Sequence, residues 1–185
     1  MSIPQQTRWA ALAVAGLTAF SVPAWADKVH LVTSMGDIII ELDARKAPRS
    51  VANFEQYVKE GHYDGTVFHR VIPNFMIQGG GMLPSLDEKP VHNPIPLESH
   101  NGLANVKGAV SMARTSTRDS ATAQFFINVQ DNPFLDQGDG YAVFGHVVSG
   151  MDVVEKIKMV PTTSKGMYQD VPRTPVIIKK AILEK

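Results

Sequence analysis

One arginine sits where its side chain asks for chemistry. Arg70 lies in the run Phe68-His69-Arg70-Val71-Ile72-Pro73-Asn74-Phe75-Met76-Ile77-Gln78-Gly79-Gly80, and Thr66 to Ile72 reads as a β-strand. Alternation along that strand predicts Arg70 on the same face as Phe68 and Ile72. A guanidinium among apolar groups needs a partner or a substrate to satisfy it. A second strand, Gln124–Val129, divides into Gln124, Phe126 and Asn128 on one face and Phe125, Ile127 and Val129 on the other. The wholly apolar set suits a core. Gln124 and Phe126 then look outward into a groove, where a polar group beside an aromatic ring suits peptide binding. His69 points away from Arg70 on a regular strand and reads as a structural, hydrogen-bonded histidine.

Other chemistries lack their residues. The chain has no cysteine, which excludes a thiol nucleophile, a disulfide scaffold and a Cys-rich metal site. Its six histidines include no H-E-x-x-H, and no G-x-S-x-G elbow is present. Gly79-Gly80-Gly81 lacks the spacing and the Lys-Ser/Thr of a phosphate loop, and Asp136-Gln137-Gly138-Asp139-Gly140 lacks the ligand register of an EF-hand. Lys+Arg equal Asp+Glu at 18 each, so charge gives no reason to expect nucleic acid or an anionic membrane surface as partner.

The elements that must hold these residues follow from periodicity. His30–Ser34 and Asp37–Leu42 read as a hairpin across Met35-Gly36. Further strands are predicted at Thr66–Ile72, Phe75–Gly79, Gly108–Ala113, Gln124–Val129, Ala142–Val148 and Val176–Leu183. Ala47–Glu60 has helical spacing, with Pro48 in its first turn, Val51, Phe54 and Val58 on one stripe, and Gly61 as a stop. A shorter helix is predicted over Met151–Lys158, with Val153, Val154 and Ile157 buried. Eight strands and two helices argue for one mainly β domain, a closed antiparallel β-barrel capped by α-helices, because closure removes exposed strand edges. Met82–Val106 and Pro161–Pro175 read as long irregular connections.

Taken together, these segments resemble the cyclophilins. After the Phe68–Gly80 run come Ser111-Met112-Ala113-Arg114, Ala123-Gln124-Phe125-Phe126-Ile127, Phe134-Leu135-Asp136 and Tyr141-Ala142-Val143-Phe144-Gly145, in family order. The resemblance spans essentially everything after residue 26, and Ser120–Phe126 looks most like the bacterial periplasmic branch. It implies a peptidyl-prolyl cis–trans isomerase acting on proline-containing peptides and unfolded exported proteins, as a monomer and without metal or organic cofactor. Arg70 would be the catalytic donor to the prolyl nitrogen. Phe75, Met76, Phe126, Phe134, Leu135 and Tyr141 would line the proline socket. Gln78 and Gln124 would bind substrate, and the backbone around Ala113 and Arg114 would hold the residue before proline. A proline-peptide binding module or chaperone with incidental turnover is the alternative. Two positions depart from the commonest pattern: Phe134 stands where many eukaryotic members carry tryptophan, and Tyr141 where many carry histidine. Phe134 lacks an indole N–H donor, so weak binding of cyclosporin, the family's macrocyclic inhibitor, is expected.

The N-terminus indicates export. Met1–Arg8 is polar with one basic residue, Trp9–Phe20 is apolar, and Ala24-Trp25-Ala26 fits an A-x-A cleavage site. The apolar stretch is shorter than the roughly 20 residues of a membrane span. A signal peptide over residues 1–26 is expected, leaving the isomerase domain at 27–185 in the periplasm, with full secretion as the alternative and no lasting membrane insertion.

Overall fold

The computed structural model of the chain describes residues 27–184. The expected signal peptide lies outside them. The strands are β1 (Lys28–Thr33), β2 (Gly36–Leu42), β3 (Phe68–Ile72), β4 (Met76–Gly79), β5 (Ala109–Met112), β6 (Phe125–Asn128), β7 (Val143–Ser149), β8 (Thr162–Lys165), β9 (Tyr168–Pro172) and β10 (Ile178–Glu184). Two α-helices, α1 (Pro48–Lys59) and α2 (Met151–Lys158), and one 3₁₀ turn (Pro133–Asp136) complete the elements.

Eight strands form one antiparallel sheet in the order β10-β1-β2-β7-β5-β6-β4-β3. The expected closed barrel is corrected here: the sheet is an open half-barrel with β3 and β10 as its edges. At the seam only a short stretch pairs, through a Val67–Ile177 bridge, the Phe68 N–H donating to the Val176 carbonyl at 2.9 Å, and the Ile178 N–H donating to that of Thr66 at 2.8 Å. Pro172 and Pro175 lead into this stretch without N–H groups to donate, and β9 packs beside β3. The ladder therefore stops. Strands β8 and β9 form a separate two-stranded hairpin inside Pro161–Pro175, expected to be irregular. Its residues lack a strict apolar alternation, which is why periodicity did not mark it.

Both helices bury their predicted stripes against the sheet. Val51, Phe54, Tyr57 and Val58 of α1 and Val153, Val154 and Ile157 of α2 are buried. Phe54 anchors an aromatic cluster with its ring 5.0 Å from Tyr63, 5.4 Å from Phe125 and 5.0 Å from Phe144; such tilted and edge-on pairs add to area burial. The N-cap of α1, Ala47, offers no side-chain acceptor. Glu98 replaces it from the long connection, accepting the N–H groups of Arg49 at 3.0 Å and Ser50 at 2.8 Å. Helix α2 starts at Gly150, whose φ of +87° and approach to the Asp37 carbonyl leave no room for a Cβ.

Candidate active site

The groove rests on strand register. Arg70 on β3 pairs with Gln78 on β4, Gln78 with Phe126 on β6, and Phe126 with Ser111 on β5. Cross-strand partners point to the same side of a sheet. Arg70, Gln78 and Phe126 therefore form one row, with Arg70 and Phe126 about 10 Å apart across two strand spacings. The apolar set Phe125, Ile127 and Val129 faces the main core, as alternation predicted.

One part of the alternation argument failed. Phe68 was expected beside Arg70, but it is fully buried in the main core together with Val71. A bulge between Phe68 and Arg70 causes this: Phe68 pairs with Gly79 and Arg70 with Gln78, two steps on β3 against one on β4. The extra residue turns Arg70 and Ile72 to the groove side. It also leaves His69 only 5% exposed, against the inner side of the β8–β9 hairpin. Burial, with a smaller contribution from the charge of Arg70, holds the His69 pKa down at about 4 despite the nearby Val67 carbonyl. Its Nδ1 is buried without a hydrogen-bond partner, so the hydrogen bond expected of this histidine is not made at that nitrogen.

The socket is a second, smaller apolar cluster. Met76, Phe126 and Leu135 are buried at its base, and Ile72, Phe75, Ala113 and Tyr141 pack around them half-exposed. Tyr141 stands edge-on to Phe126 with centroids 5.6 Å apart. Phe134, 55% exposed on the rim, lies against Phe75 at 5.5 Å. Gln78 donates from Nε2 to Gln124 Oε1 at 2.9 Å, so the two glutamines act as one polar unit beside the socket. Ala113 gives its N–H to the Gln124 carbonyl at 2.9 Å. Arg114 does more than supply backbone. Its Nε and Nη2 donate to the Gly140 carbonyl at 3.1 and 2.9 Å, and its guanidinium lies 4.7 Å from the Tyr141 ring centroid. It braces the Tyr141 wall.

Sequence reasoning missed what stands behind the socket. Ser111 donates to Asn105 Oδ1 at 2.7 Å, Asn128 donates to the same oxygen at 3.1 Å, and Asn105 Nδ2 donates to Asp136 at 2.7 Å. Asn132 Nδ2 donates one hydrogen to Asn128 Oδ1 at 2.8 Å and the other to the Phe75 carbonyl at 2.9 Å. The Leu135 N–H donates to the Asn132 carbonyl, and that of Tyr141 to the Leu135 carbonyl, both at 2.9 Å. A satisfied buried network thus fixes Phe75, Leu135 and Tyr141 relative to β6. Asn128 had a sequence signal in its place in the Gln124–Phe126 alternation, and Ser111 and Asp136 fell within the segments of family resemblance; Asn105 and Asn132 had none. A separate cavity of about 870 Å³ between β2, residues 102–106 and β7 contains none of the expected site residues.

An apolar socket with an arginine and a paired glutamine unit beside it lies on the outer face of an eight-stranded half-barrel. The family model described as "Cyclophilin type peptidyl-prolyl cis-trans isomerase/CLD" matches residues 28–182. The chain is 54% identical to peptidyl-prolyl cis-trans isomerase A of Dickeya dadantii, over 93% of this chain and 94% of that protein. It is also 54% identical to peptidyl-prolyl cis-trans isomerase B of Escherichia coli, over 80% and 93% respectively. A Cryptosporidium parvum cyclophilin-type isomerase crystallised in the presence of the dipeptide Ala-Pro has a TM-score of 0.75 at 27% identity, covering 85% of this chain and 99% of that one. The chain belongs to the cyclophilin-type peptidyl-prolyl cis–trans isomerase family, and it is an enzyme of that activity.

Proposed function

We propose that Arg70 carries the rotation step while the socket of Phe75, Met76, Phe126, Leu135 and Tyr141 grips the proline ring, with Phe134 at its rim. The barrier to X–Pro rotation is roughly 18–20 kcal/mol and arises from amide resonance. Twisting the bond localises a lone pair on the prolyl nitrogen, and a permanently charged donor aimed there binds the twisted state better than the planar one. No bond is cut. Uncatalysed rotation takes tens to hundreds of seconds, so millisecond turnover requires roughly 5–7 kcal/mol. Gln78, braced by Gln124, offers hydrogen bonding to substrate backbone, and the chain around Ala113 and Arg114 supports the residue before proline. The Ala-Pro dipeptide used with the relative of like fold supports proline as the occupant. The observation that carries the reading is the cross-strand row that sets Arg70 beside Gln78 and Phe126.

The clients are proline-containing segments of exported, incompletely folded proteins, met by a monomer in the periplasm after removal of residues 1–26. The A-x-A site at Ala24–Ala26 and the bacterial relatives support that placement. Among the described residues, no helix is long and apolar enough to cross a membrane.

Exchange NMR on a short X–Pro peptide, with wild type and Arg70→Ala side by side, tests the reading. Loss of one preorganised donor lowers turnover about a hundred-fold or more, while peptide affinity changes only a few-fold. Equal losses in turnover and affinity would show Arg70 to be a binding residue and not the donor for rotation.

A further inference from the structure

The β8–β9 hairpin brings a carboxylate to the arginine. Asp170 Oδ2 lies 3.9 Å from Arg70 Nε, and among the described residues it is the only charged group paired with Arg70. Asp170 also holds φ at +59°, the left-handed region. Glycine and asparagine meet that conformation at least as cheaply as aspartate does. What aspartate adds at this position is charge. The hairpin that carries it is fastened at its base: Arg173 N–H donates to the Pro161 carbonyl at 2.9 Å, and Val171 and Pro172 are buried where they meet Val67, Phe68 and His69. Arg70 itself projects half-exposed on a long flexible stem.

We propose that Asp170 is a positioning residue, holding the Arg70 guanidinium over the groove so that its N–H donors meet the prolyl nitrogen in one orientation. The inference rests on Arg70 being the donor for rotation. At 3.9 Å the contact is an ion pair without a hydrogen bond, so it uses up none of the guanidinium N–H donors. An ion pair this exposed has a modest effect, so the expected change is a three- to five-fold fall in kcat with KM nearly unchanged.

Asp170→Asn keeps the side chain's shape, and Asp170→Gly relieves the backbone, yet both delete the charge. Each variant is compared with wild type in peptide exchange NMR, at low salt and at 1 M NaCl, together with ¹⁵N relaxation of the Arg70 Nε–H. A fall in kcat in both variants, a more mobile Arg70 Nε–H, and a gap from wild type that narrows at 1 M salt, where the Debye length is about 3 Å, support the assignment. Wild-type kcat in either variant overturns it, as does a fall that comes with a raised KM and an unmoved Nε–H. Arg70→Ala in the same assay keeps the two readings apart: an active Arg70→Ala defeats the catalytic assignment, whereas an inactive Arg70→Ala beside a fully active Asp170→Asn defeats only this one.

Discussion

His69 gives the fold a calculable weakness to acid. Buried beneath the β8–β9 hairpin, it is held at a pKa of about 4, against 6.5 when exposed. The folded protein therefore binds fewer protons at this site than the unfolded chain does. The stability this contributes is fully present above pH 6.5 and is lost as the pH falls through that value towards 4. Integrating the two titrations gives a loss of about 2 kcal/mol by pH 5 and about 3 kcal/mol by pH 4, relative to neutral pH. His62, likewise held below its ordinary value chiefly by burial, acts in the same direction but is common to wild type and variant. The measurement is urea unfolding at 25 °C from pH 7 to pH 4, at constant ionic strength, for wild type and His69→Leu. His69→Gln serves as a second variant in case leucine packs poorly. Any constant offset from repacking cancels, because the quantity read is the slope with pH. Wild type should lose about 2 kcal/mol more than the variant between pH 7 and pH 5. Curves that stay parallel within about 0.5 kcal/mol over that range would mean that the histidine charges freely inside the fold, and the burial argument would be wrong.

Three other outcomes can be checked independently. Glu98→Ala uncaps α1 at Arg49 and Ser50; it should cost about 1–2 kcal/mol, a fall in Tm of roughly 3–8 °C, with turnover unchanged, and an unaltered Tm would deny Glu98 its capping role. Phe134 is an exposed ring with no N–H to donate, so titration calorimetry should find cyclosporin binding weak, and nanomolar affinity would contradict this. Protein recovered from the periplasm should begin at Asp27 by N-terminal sequencing; recovery with Met1 retained would refute the cleavage site.

Much of the site was legible because the relevant signals are local. Alternation on Gln124–Val129 sorted Phe125, Ile127 and Val129 into the core and left Phe126 for the groove. The helical stripes of Val51, Phe54 and Val58 and of Val153, Val154 and Ile157 fell where they are buried. Alternation drew attention to Arg70, and the resemblance to the cyclophilins pointed to Phe75, Gln78 and Tyr141. What failed was each inference that needed to know how distant segments meet. The bulge at His69 adds one residue to a strand and leaves no mark in composition, yet it decides that Phe68 goes inward while Arg70 goes out.

The sequence by itself determined the eight strands of the main sheet and two helices, because side-chain periods of 2 and 3.6 are written into the chain. Tertiary structure decided the rest. Whether the sheet closes depends on backbone donors at a seam between Val67 and Ile177. The stiffness of the socket depends on Asn105, Ser111, Asn128 and Asn132 meeting across loops and strands, and the setting of Arg70 depends on a hairpin that delivers Asp170 from near the end of the chain. Hydrogen bonds and ion pairs of this kind are set by distances between segments remote in sequence, and no local period encodes such a distance.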